Sequence, residues 1–337
     1  MRLFIFMALL MCPFTLLFAQ DQEARLWGKQ EAFLKQQATE IFSLVNAILD
    51  KDLPSAERPS RARQAALLLL DGVFHDTRMD GSASIVSFMS DRMERVLDDF
   101  RKPLSEGMKI YKLYNDGFIV RTKDVTIAFD LYRGGRMKKD STLIANTTMQ
   151  ALVEKCDLMF LSHDHSDHVD PVVIQMFTDA GKTVVATSRI CPDNDQITHV
   201  RSGQLLDRTF VVGAHRVNVK ILPGHQDEME NNIYVVTVGD YTIAHTGDQY
   251  NKDDLEWLRQ IKTKIPPLDV LLVNCWAYSL YEMIEGFAPK LVITGHENEL
   301  GHSIDHRESY WLSYNKLEKL QTPSCLMTWG ECFWYGK

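Results

Sequence analysis

Three histidines and three aspartates are concentrated in the eleven residues FLSHDHSDHVD, at positions 160–170. The histidines follow the apolar run LMFL, which has the length and composition of a buried strand. Because His163 and His165 are separated by one residue, both imidazoles can reach one ion. Asp167 and His168 are adjacent and must point elsewhere, so a second ion is their natural partner. Imidazole and carboxylate are ligands that zinc prefers, and the segment therefore predicts a metal site.

Three further polar residues stand at the ends of other predicted strands. His225 follows ILPG, Asp248 lies in YTIAHTGDQY, and His296 follows KLVITG. A lone histidine after a strand is more often structural than a metal ligand. An ordered set of such residues is poorly explained by chance, and it indicates that several strand ends converge on one site.

The order HxHxDH, then His, then Asp in a TGD turn, then His after a late strand resembles the metallo-β-lactamase superfamily over about residues 106–337. The resemblance implies a first metal held by His163, His165 and His225, a second held by Asp167, His168 and His296, and Asp248 as the bridge between them. It also implies that Asp130, in IAFDLY, supports the metal loop, since a ligand histidine needs a carboxylate partner. The implied cofactors are two divalent ions, zinc in the first place, with iron or manganese as alternatives.

The bridging position bears on the reaction. β-Lactamases of the superfamily generally lack a bridging aspartate, whereas its phosphodiesterase, lactonase and thioester-hydrolase branches have one. Two ions bridged by Asp248 and a water would yield hydroxide near neutral pH, able to cleave an ester, lactone or phosphodiester bond. The HENELGH segment also resembles, loosely, the lactonase and phospholipase D-like branch that contains the ascorbate-phosphate lactonases.

Three alternatives to this hydrolase are a β-lactam hydrolase, an iron-containing redox or oxygen-handling protein on the same fold, and a module in which the metal is only structural. Iron carriers of the superfamily often have a carboxylate where His165 stands, so the histidine favours zinc or a mixed-metal site. A full ligand set with a bridging carboxylate argues against a purely structural site, which is normally closed by four ligands.

His302 competes with His296 for the last ligand position. We favour His296 because it directly follows a strand, and ligands are best held on rigid elements. His302 is then predicted to be a proton donor or a substrate contact, with a surface-loop histidine as the alternative. The predicted catalytic residues are Asp167, Asp248 and His302.

The remaining candidates lie close to these ligands in sequence. His245 precedes the TGD turn and is predicted to be structural or to support a ligand. Asn298 and Glu299 are predicted substrate contacts. Loop packing is the alternative for both, and pairing with a ligand histidine is a further alternative for Glu299.

The amino terminus has the pattern of an export signal. Arg2 is the only charge before an apolar run that ends near Ala19, which predicts a signal peptide over residues 1–19 and a periplasmic or secreted protein. An uncleaved anchor helix is the alternative, because the run is near the lower length limit for spanning a membrane. After cleavage we expect no stable transmembrane segment.

The rest of the chain divides into a predicted helical segment, residues 20–105, and a metallo-β-lactamase-like domain, residues 106–337. Apolar residues at three- and four-residue spacing predict three helices in the first part. The second part reads as two sets of strands flanked by helices, with a turn at Asn115-Asp116-Gly117 and with KLVITG as the last strand. This pattern predicts an α/β (α+β) fold, a four-layer αββα sandwich with an N-terminal helical extension.

The composition limits the classes of molecule that the protein is expected to bind. The net charge of −8 disfavours binding to nucleic acid, so a small-molecule or lipid substrate is expected, and the oligomeric state is not predicted. Five widely spaced cysteines remain after cleavage, which is not a disulfide framework. Free thiols and a Cys325–Cys332 bridge are both open.

Overall fold

The computed structural model describes residues 30–134, 142–200 and 203–337, so the predicted signal peptide lies outside the described residues. The described part of the chain begins with three α-helices: α1 (Gln30–Leu49), α2 (Arg61–Phe74) and α3 (Ala83–Phe100). Ser60 and Ser82 cap α2 and α3 by accepting hydrogen bonds from backbone amides of the first turns. The predicted helices are confirmed here, and we call residues 30–100 the N-terminal helical segment.

The first sheet has seven strands. They are β1 (Met108–Lys112), β2 (Phe118–Arg121), β3 (Thr126–Phe129), β4 (Leu158–Phe160), β5 (Thr183–Thr187), β6 (Ile197–Val200) and β14 (Glu331–Tyr335), in the order β14-β1-β2-β3-β4-β5-β6. The strands from β3 to β6 are parallel, while β14, β1, β2 and β3 pair antiparallel. Helices α4 (Asn146–Lys155) and α5 (Pro171–Asp179) connect the parallel strands.

The second sheet also has seven strands. They are β7 (Leu206–Val212), β8 (His215–Gln226), β9 (Met229–Val238), β10 (Tyr241–His245), β11 (Val270–Asn274), β12 (Leu291–Gly295) and β13 (Ser324–Cys325), in the order β13-β12-β11-β10-β9-β8-β7. The strands from β10 to β13 are parallel and those from β7 to β10 antiparallel. Helices α6 (Leu255–Leu258), α7 (Leu280–Phe287) and α8 (Tyr310–Leu317) complete this half.

The two sheets pack face to face through alternating apolar side chains. Phe160 of β4 lies between Phe129 and Tyr234, with ring centroids 5.7 and 4.8 Å away, and all three rings are buried. The other faces of both sheets pack against helices, for example α5 on β5 and α7 on β11. The predicted four-layer α/β/β/α sandwich is therefore confirmed.

One sequence prediction about the strands was wrong: the segment KLVITG is not the last strand. β13 and β14 follow it. β13 has only two residues, too few to show a period, and β14 pairs with β1, which lies far earlier in the chain. Such pairing depends on tertiary contacts and leaves no local signal.

The N-terminal helical segment shares a core with the first sheet. The ring of Phe74 on α2 stacks on Trp329 at a centroid distance of 4.5 Å. The buried guanidinium of Arg63 donates to both carboxylate oxygens of Glu331 on β14, at 2.8 and 2.6 Å. Burial and Glu331 act in opposite directions on the pKa of Arg63, and the net shift is upward.

Two further observations concern the whole described chain. The five cysteines that it contains are free thiols, so Cys325 and Cys332 are not bridged. None of the described helices combines the length and hydropathy needed to span a bilayer.

Candidate metal centre

The candidate site lies where parallel strands of both sheets end. Parallel strands place their carboxyl ends at one edge of a sheet, and the loops that leave those ends can converge. In the first sheet β3 leads to Asp130 and β4 to the histidine-rich loop, residues 162–170. In the second sheet β10 leads to Asp248, and β12 leads to His296.

Asp130 shapes the histidine-rich loop. Its Oδ1 accepts a hydrogen bond from the backbone amide of Ser162 at 2.8 Å. Its Oδ2 accepts from the hydroxyl of Ser162 at 2.5 Å and lies 2.9 Å from Nδ1 of His168. With Nδ1 bound in this way, Nε2 of His168 points into the centre of the cluster. This is the contact expected of a residue that supports a ligand.

Five overlapping groups of candidate ligand atoms from the described residues lie in and beside this loop, and two of them correspond to the two predicted ions. Within each group the atoms lie within 4.8 Å of one another. The first group is His163, His165 and Asp248, and the second is Asp167, His168 and His296.

Asp248 lies at the junction of the two groups. Its Oδ2 is 3.6 Å from Nε2 of His163 in the first group. The same oxygen is 3.3 Å from Nε2 of His168 and 3.5 Å from Nε2 of His296 in the second group. One carboxylate oxygen therefore faces three imidazoles, two from the histidine-rich loop and one from the loop after β12.

The buried nitrogens of these imidazoles fit a metal. Nε2 of His163, His168 and His296 is buried and makes no hydrogen bond to any described residue. Buried polar atoms normally have partners, so three such atoms aimed at one carboxylate call for a ligand that the protein does not supply. Imidazole nitrogens and carboxylate oxygens together form the donor set of a zinc or iron site.

The pKa shifts within the cluster also favour a bound cation. Burial alone would raise the pKa values of Asp167 and Asp248, but the neighbouring imidazoles lower both well below the ordinary carboxyl range. Burial opposes the charged form of His296, yet Asp248 and Asp167 raise its pKa to about 9. Burial and His168 together lower the pKa of His163 to about 3. The two carboxylates are thus ionised and draw positive charge to the site.

His225 is not gathered with the first group, which differs from the ligand set that the resemblance implied. It lies at the end of β8, its side chain is 40% exposed, and its Nδ1 is 3.2 Å from Oδ2 of Asp254. Among the described residues, no group of candidate ligand atoms includes His225. Its Nδ1 contact is nevertheless the contact that orients a ligand histidine through its other nitrogen.

His296 and His302 occupy different positions relative to the cluster. The second group of candidate ligand atoms includes His296, which is almost fully buried. It does not include His302. His302 stacks on His296 with ring centroids 5.4 Å apart, and its Nε2 lies 3.7 Å from Oδ2 of Asp167. The side chain of His302 is 29% exposed, so it stands at the mouth of the cluster.

The remaining predicted residues are buried. Nε2 of His245 lies 3.2 Å from Oδ2 of Asp116, behind the cluster. Asn298 donates from Nδ2 to Asp71 at 3.0 Å, and Glu299 accepts from the backbone amide of Gly301 at 3.0 Å. Burial and Asp167 raise the pKa of Glu299 to about 7. Substrate contact by Asn298 and Glu299 stays a prediction, and loop packing stays its alternative.

Sequence reasoning missed several polar residues that hold the candidate ligands. Nδ2 of Asn274 donates to Oδ1 of Asp248 at 2.8 Å, and Nε2 of Gln226 donates to its Oδ2 at 3.3 Å. Nδ2 of Asn115 donates to Oδ2 of Asp167 at 3.3 Å, and its backbone oxygen accepts from the amide of His296 at 3.2 Å. Asn115 was assigned only to a turn, and local sequence gives no signal for a contact 52 positions away.

Left-handed backbone conformations cluster around the site. The residues with positive φ include Asn115 (56°), Asp130 (43°), His296 (71°) and Asn298 (57°). Asn, Asp and His tolerate this region better than most residues, yet each such position costs some strain. Gly247, in the TGD turn, is also left-handed (φ 51°), and a Cβ there would overlap Ser162 and Asn231. The turn that presents Asp248 therefore requires glycine.

The N-terminal helical segment clamps the loop that carries His296 and His302. Asp71 accepts from the side chain of Asn298 and, at 2.8 and 3.0 Å, from the backbone amides of Tyr310 and Trp311. Arg307 donates to the backbone oxygens of Phe74 in the segment and of Leu300 and His302 in the loop. It also pairs with Asp80 at 2.6 Å. This buried network leaves the loop little freedom.

A comparison of sequences identifies the family. A family model described as "Beta-lactamase superfamily domain" matches residues 109–296, more than half of the chain. The chain belongs to the metallo-β-lactamase superfamily. In this metallo-β-lactamase-fold protein, the matching segment runs from β1 to His296. It includes both groups of candidate ligands. No curated protein matches the chain significantly.

Solved structures share the metallo-β-lactamase fold with this chain. Igni18, a metallo hydrolase from the archaeon Ignicoccus hospitalis, is 16% identical with a TM-score of 0.52, covering 68% of this chain and 99% of that chain. A possible metal-dependent hydrolase from Veillonella parvula is 13% identical with a TM-score of 0.51, covering 67% and 99%. At these identities the likeness shows the fold alone.

A third structure has a different chemistry. CmlA, a diiron β-hydroxylase from Streptomyces venezuelae, is 12% identical with a TM-score of 0.48, covering 70% of this chain and 55% of that chain. A TM-score this low carries no argument about the metal. Membership in the metallo-β-lactamase superfamily and the histidine–aspartate cluster together support a place for this protein among metal-dependent hydrolases.

Proposed function

We propose that the protein is an exported hydrolase with two divalent metal ions, zinc in the first place, that cleaves an ester, lactone or phosphodiester bond. The observation that carries the proposal is the position of Asp248, whose Oδ2 faces His163 on one side and His168 and His296 on the other. One carboxylate between two histidine groups suits two neighbouring ions and is more than a single closed site needs. The export part rests on the apolar run after Arg2.

In this proposal His163, His165 and Asp248 would hold one ion, and Asp167, His168 and His296 would hold the other. His225, oriented by Asp254, is the remaining candidate for the first ion. When bound, the ions would supply an acidified water and stabilise negative charge on the substrate oxygen. Asp130 would fix the tautomer of His168, because its carboxylate occupies Nδ1.

His302 has a separate part in the proposal. Burial and the adjacent His296 lower its pKa, which favours the neutral imidazole. Its side chain is partly exposed beside Asp167. A neutral imidazole at the mouth of the site can donate one hydrogen bond to a substrate oxygen, or take up and pass on a proton at Nε2.

The test is a hydrolysis assay on the purified protein with and without added zinc. The probes are 4-nitrophenyl acetate, a γ-lactone with a pH indicator, and bis(4-nitrophenyl) phosphate. We expect zinc-dependent turnover of at least one probe, and we expect Asp248→Ala to abolish it. Asp253→Ala, which removes an exposed carboxylate five positions along the chain, is the matched control and should keep full activity. Full activity in Asp248→Ala, or in His165→Ala, would contradict the proposal.

The export signal has its own test. N-terminal sequencing of the protein recovered outside the cytoplasm should give a mature chain that begins near Gln20. Retention of Met1 in that material would contradict cleavage.

A further inference from the structure

Three aromatic side chains lead from the candidate metal centre to solvent. The ring of Trp276 lies edge-on to His296, with centroids 5.8 Å apart. Tyr250 lies 5.1 Å from Trp276, and Tyr278 lies 6.3 Å from Tyr250. We call Trp276, Tyr250 and Tyr278 the aromatic row. It is continuous from a candidate ligand to the surface.

Exposure increases along the aromatic row. His296 is 1% exposed, Trp276 and Tyr250 are half-buried, and Tyr278 is 63% exposed. Leaving large rings in contact with water costs free energy, so contiguous exposed aromatic surface commonly marks a place where another molecule binds. Here the exposed ring of Tyr278 and the half-buried rings of Tyr250 and Trp276 lead to the cluster of candidate ligands.

The aromatic row is fixed relative to the candidate ligands by hydrogen bonds. The side chain of Asn274 accepts from the backbone amide of Trp276 at 2.9 Å and donates to Asp248 at 2.8 Å. The backbone amide of Tyr250 donates to the backbone oxygen of His225 at 2.9 Å. A group bound on the row would therefore sit at a set distance from the proposed point of hydrolysis.

The outer end of the row carries a cation. Nζ of Lys252 lies 4.7 Å from the centroid of Tyr278, which is a cation–π distance. This contact holds the most exposed ring in one orientation. Tyr281, by contrast, donates from its hydroxyl to the backbone oxygen of Lys316 and does not extend the row.

We propose that the aromatic row binds an apolar, ring-sized group of the substrate beside the bond that is hydrolysed. The substrates would then be esters or phosphodiesters with an aryl-sized substituent, in preference to those with a small aliphatic one. The inference rests on the proposed function. Its structural basis is separate, because neither the ligand groups nor the bridging carboxylate require exposed rings at the mouth.

The test compares two substrates that differ in one group. Bis(4-nitrophenyl) phosphate and methyl 4-nitrophenyl phosphate release the same 4-nitrophenolate and retain either an aryl or a methyl group on phosphorus. For ester hydrolysis the corresponding pair is 4-nitrophenyl benzoate and 4-nitrophenyl acetate. The measured quantity is the ratio of kcat/KM, aryl over methyl, in each variant relative to the wild type, so that intrinsic reactivity cancels.

We expect Tyr278→Ala and Trp276→Ala to lower this ratio by roughly 2- to 10-fold, the range that a single aromatic contact contributes. The matched control is Trp334→Ala on β14, which removes another half-exposed aromatic ring (54% exposed) and should keep the wild-type ratio. A binding readout accompanies the rates. Phenylphosphonate should bind the zinc-loaded wild type more tightly than methylphosphonate by calorimetry, and the two variants should lose that preference.

The possible outcomes are distinguishable. An unchanged ratio and an unchanged phosphonate preference in both variants would overturn the inference and leave the proposed function intact. A fall in melting temperature without a change in the ratio would mean that the aromatic row serves packing, which also overturns it. No hydrolysis of any probe and no phosphonate binding would contradict the proposed function, and the inference with it.

Discussion

Asp71, on helix α2 of the N-terminal helical segment, accepts a hydrogen bond at 3.0 Å from the side-chain amide of Asn298, two residues beyond His296. The same carboxylate accepts from the first backbone amides of α8. The helical segment is thus connected through Asp71, as it is through Arg307, to the loop that presents a candidate ligand. The sequence of the segment has no metal-binding pattern, and we expect its contribution to be to hold this loop.

Replacing Asp71 tests that contribution. Asp71→Ala removes three hydrogen bonds and leaves their donors without partners, so we expect roughly tenfold weaker metal binding, as for other residues that orient ligands. Zinc affinity measured against a competing chelator gives the answer. Asp76→Ala, in the same segment but bonded only to Arg78, is the control. Asp71→Asn keeps one acceptor oxygen and should restore most of the affinity. Equal zinc affinity in Asp71→Ala and the wild type would contradict the role of Asp71 in holding this loop.

Asp130 offers a test of the histidine-rich loop. Asp130→Asn keeps a side chain that tolerates the left-handed backbone (φ 43°), but an amide cannot accept from both Ser162 and His168. We expect about 10- to 100-fold weaker zinc binding, measured by the same competition. Asp124→Asn, at an exposed turn six positions earlier, should bind zinc as the wild type does. A variant at Asp130 with unaltered affinity would mean that the loop does not depend on this carboxylate.

Asp99 gives a pH-dependent stability prediction away from the site. Burial alone would raise the pKa of Asp99, but its hydrogen bonds with Lys109 and Tyr111, at 2.6 and 2.8 Å, lower it below the ordinary value of 3.8. A lowered carboxyl pKa contributes stability that is complete well above 3.8 and is lost as the pH falls through the folded-state pKa.

The comparison for Asp99 is therefore between the wild type and Asp99→Asn at two pH values. At pH 7 the variant should be less stable by about 1 kcal/mol, or ~2 °C in melting temperature. The difference should shrink at pH 4 and continue to shrink below it. A difference that grows on acidification would contradict the sign of this contribution.

Local patterns were sufficient for much of the fold. The turn Asn115-Asp116-Gly117 separates β1 from β2 as its residue types predict, and the three N-terminal helices follow their apolar periodicity. The histidine-rich loop is likewise local, because its ligands lie within six residues of one another. These features depend on neighbours in sequence, which a sequence displays directly.

What could not be predicted depends on distant contacts. Asn115 reaches Asp167, and Asn274 reaches Asp248, only after two sheets have packed. His225 looked equivalent to other strand-end histidines, but its half-exposed ring turns to Asp254. β14 pairs with β1, which lies far from it in sequence. Sequence spacing gives the candidate ligands, and tertiary packing decides which of them meet.

The account depends most on two ions bound around Asp248. The most direct measurement is the metal content per chain of the purified protein, by elemental analysis, after zinc has been supplied and excess removed. The account predicts two zinc equivalents, falling in Asp248→Ala because that variant removes the oxygen that faces both histidine groups. A chain that holds no metal under these conditions, or one equivalent in both the wild type and the variant, would contradict it.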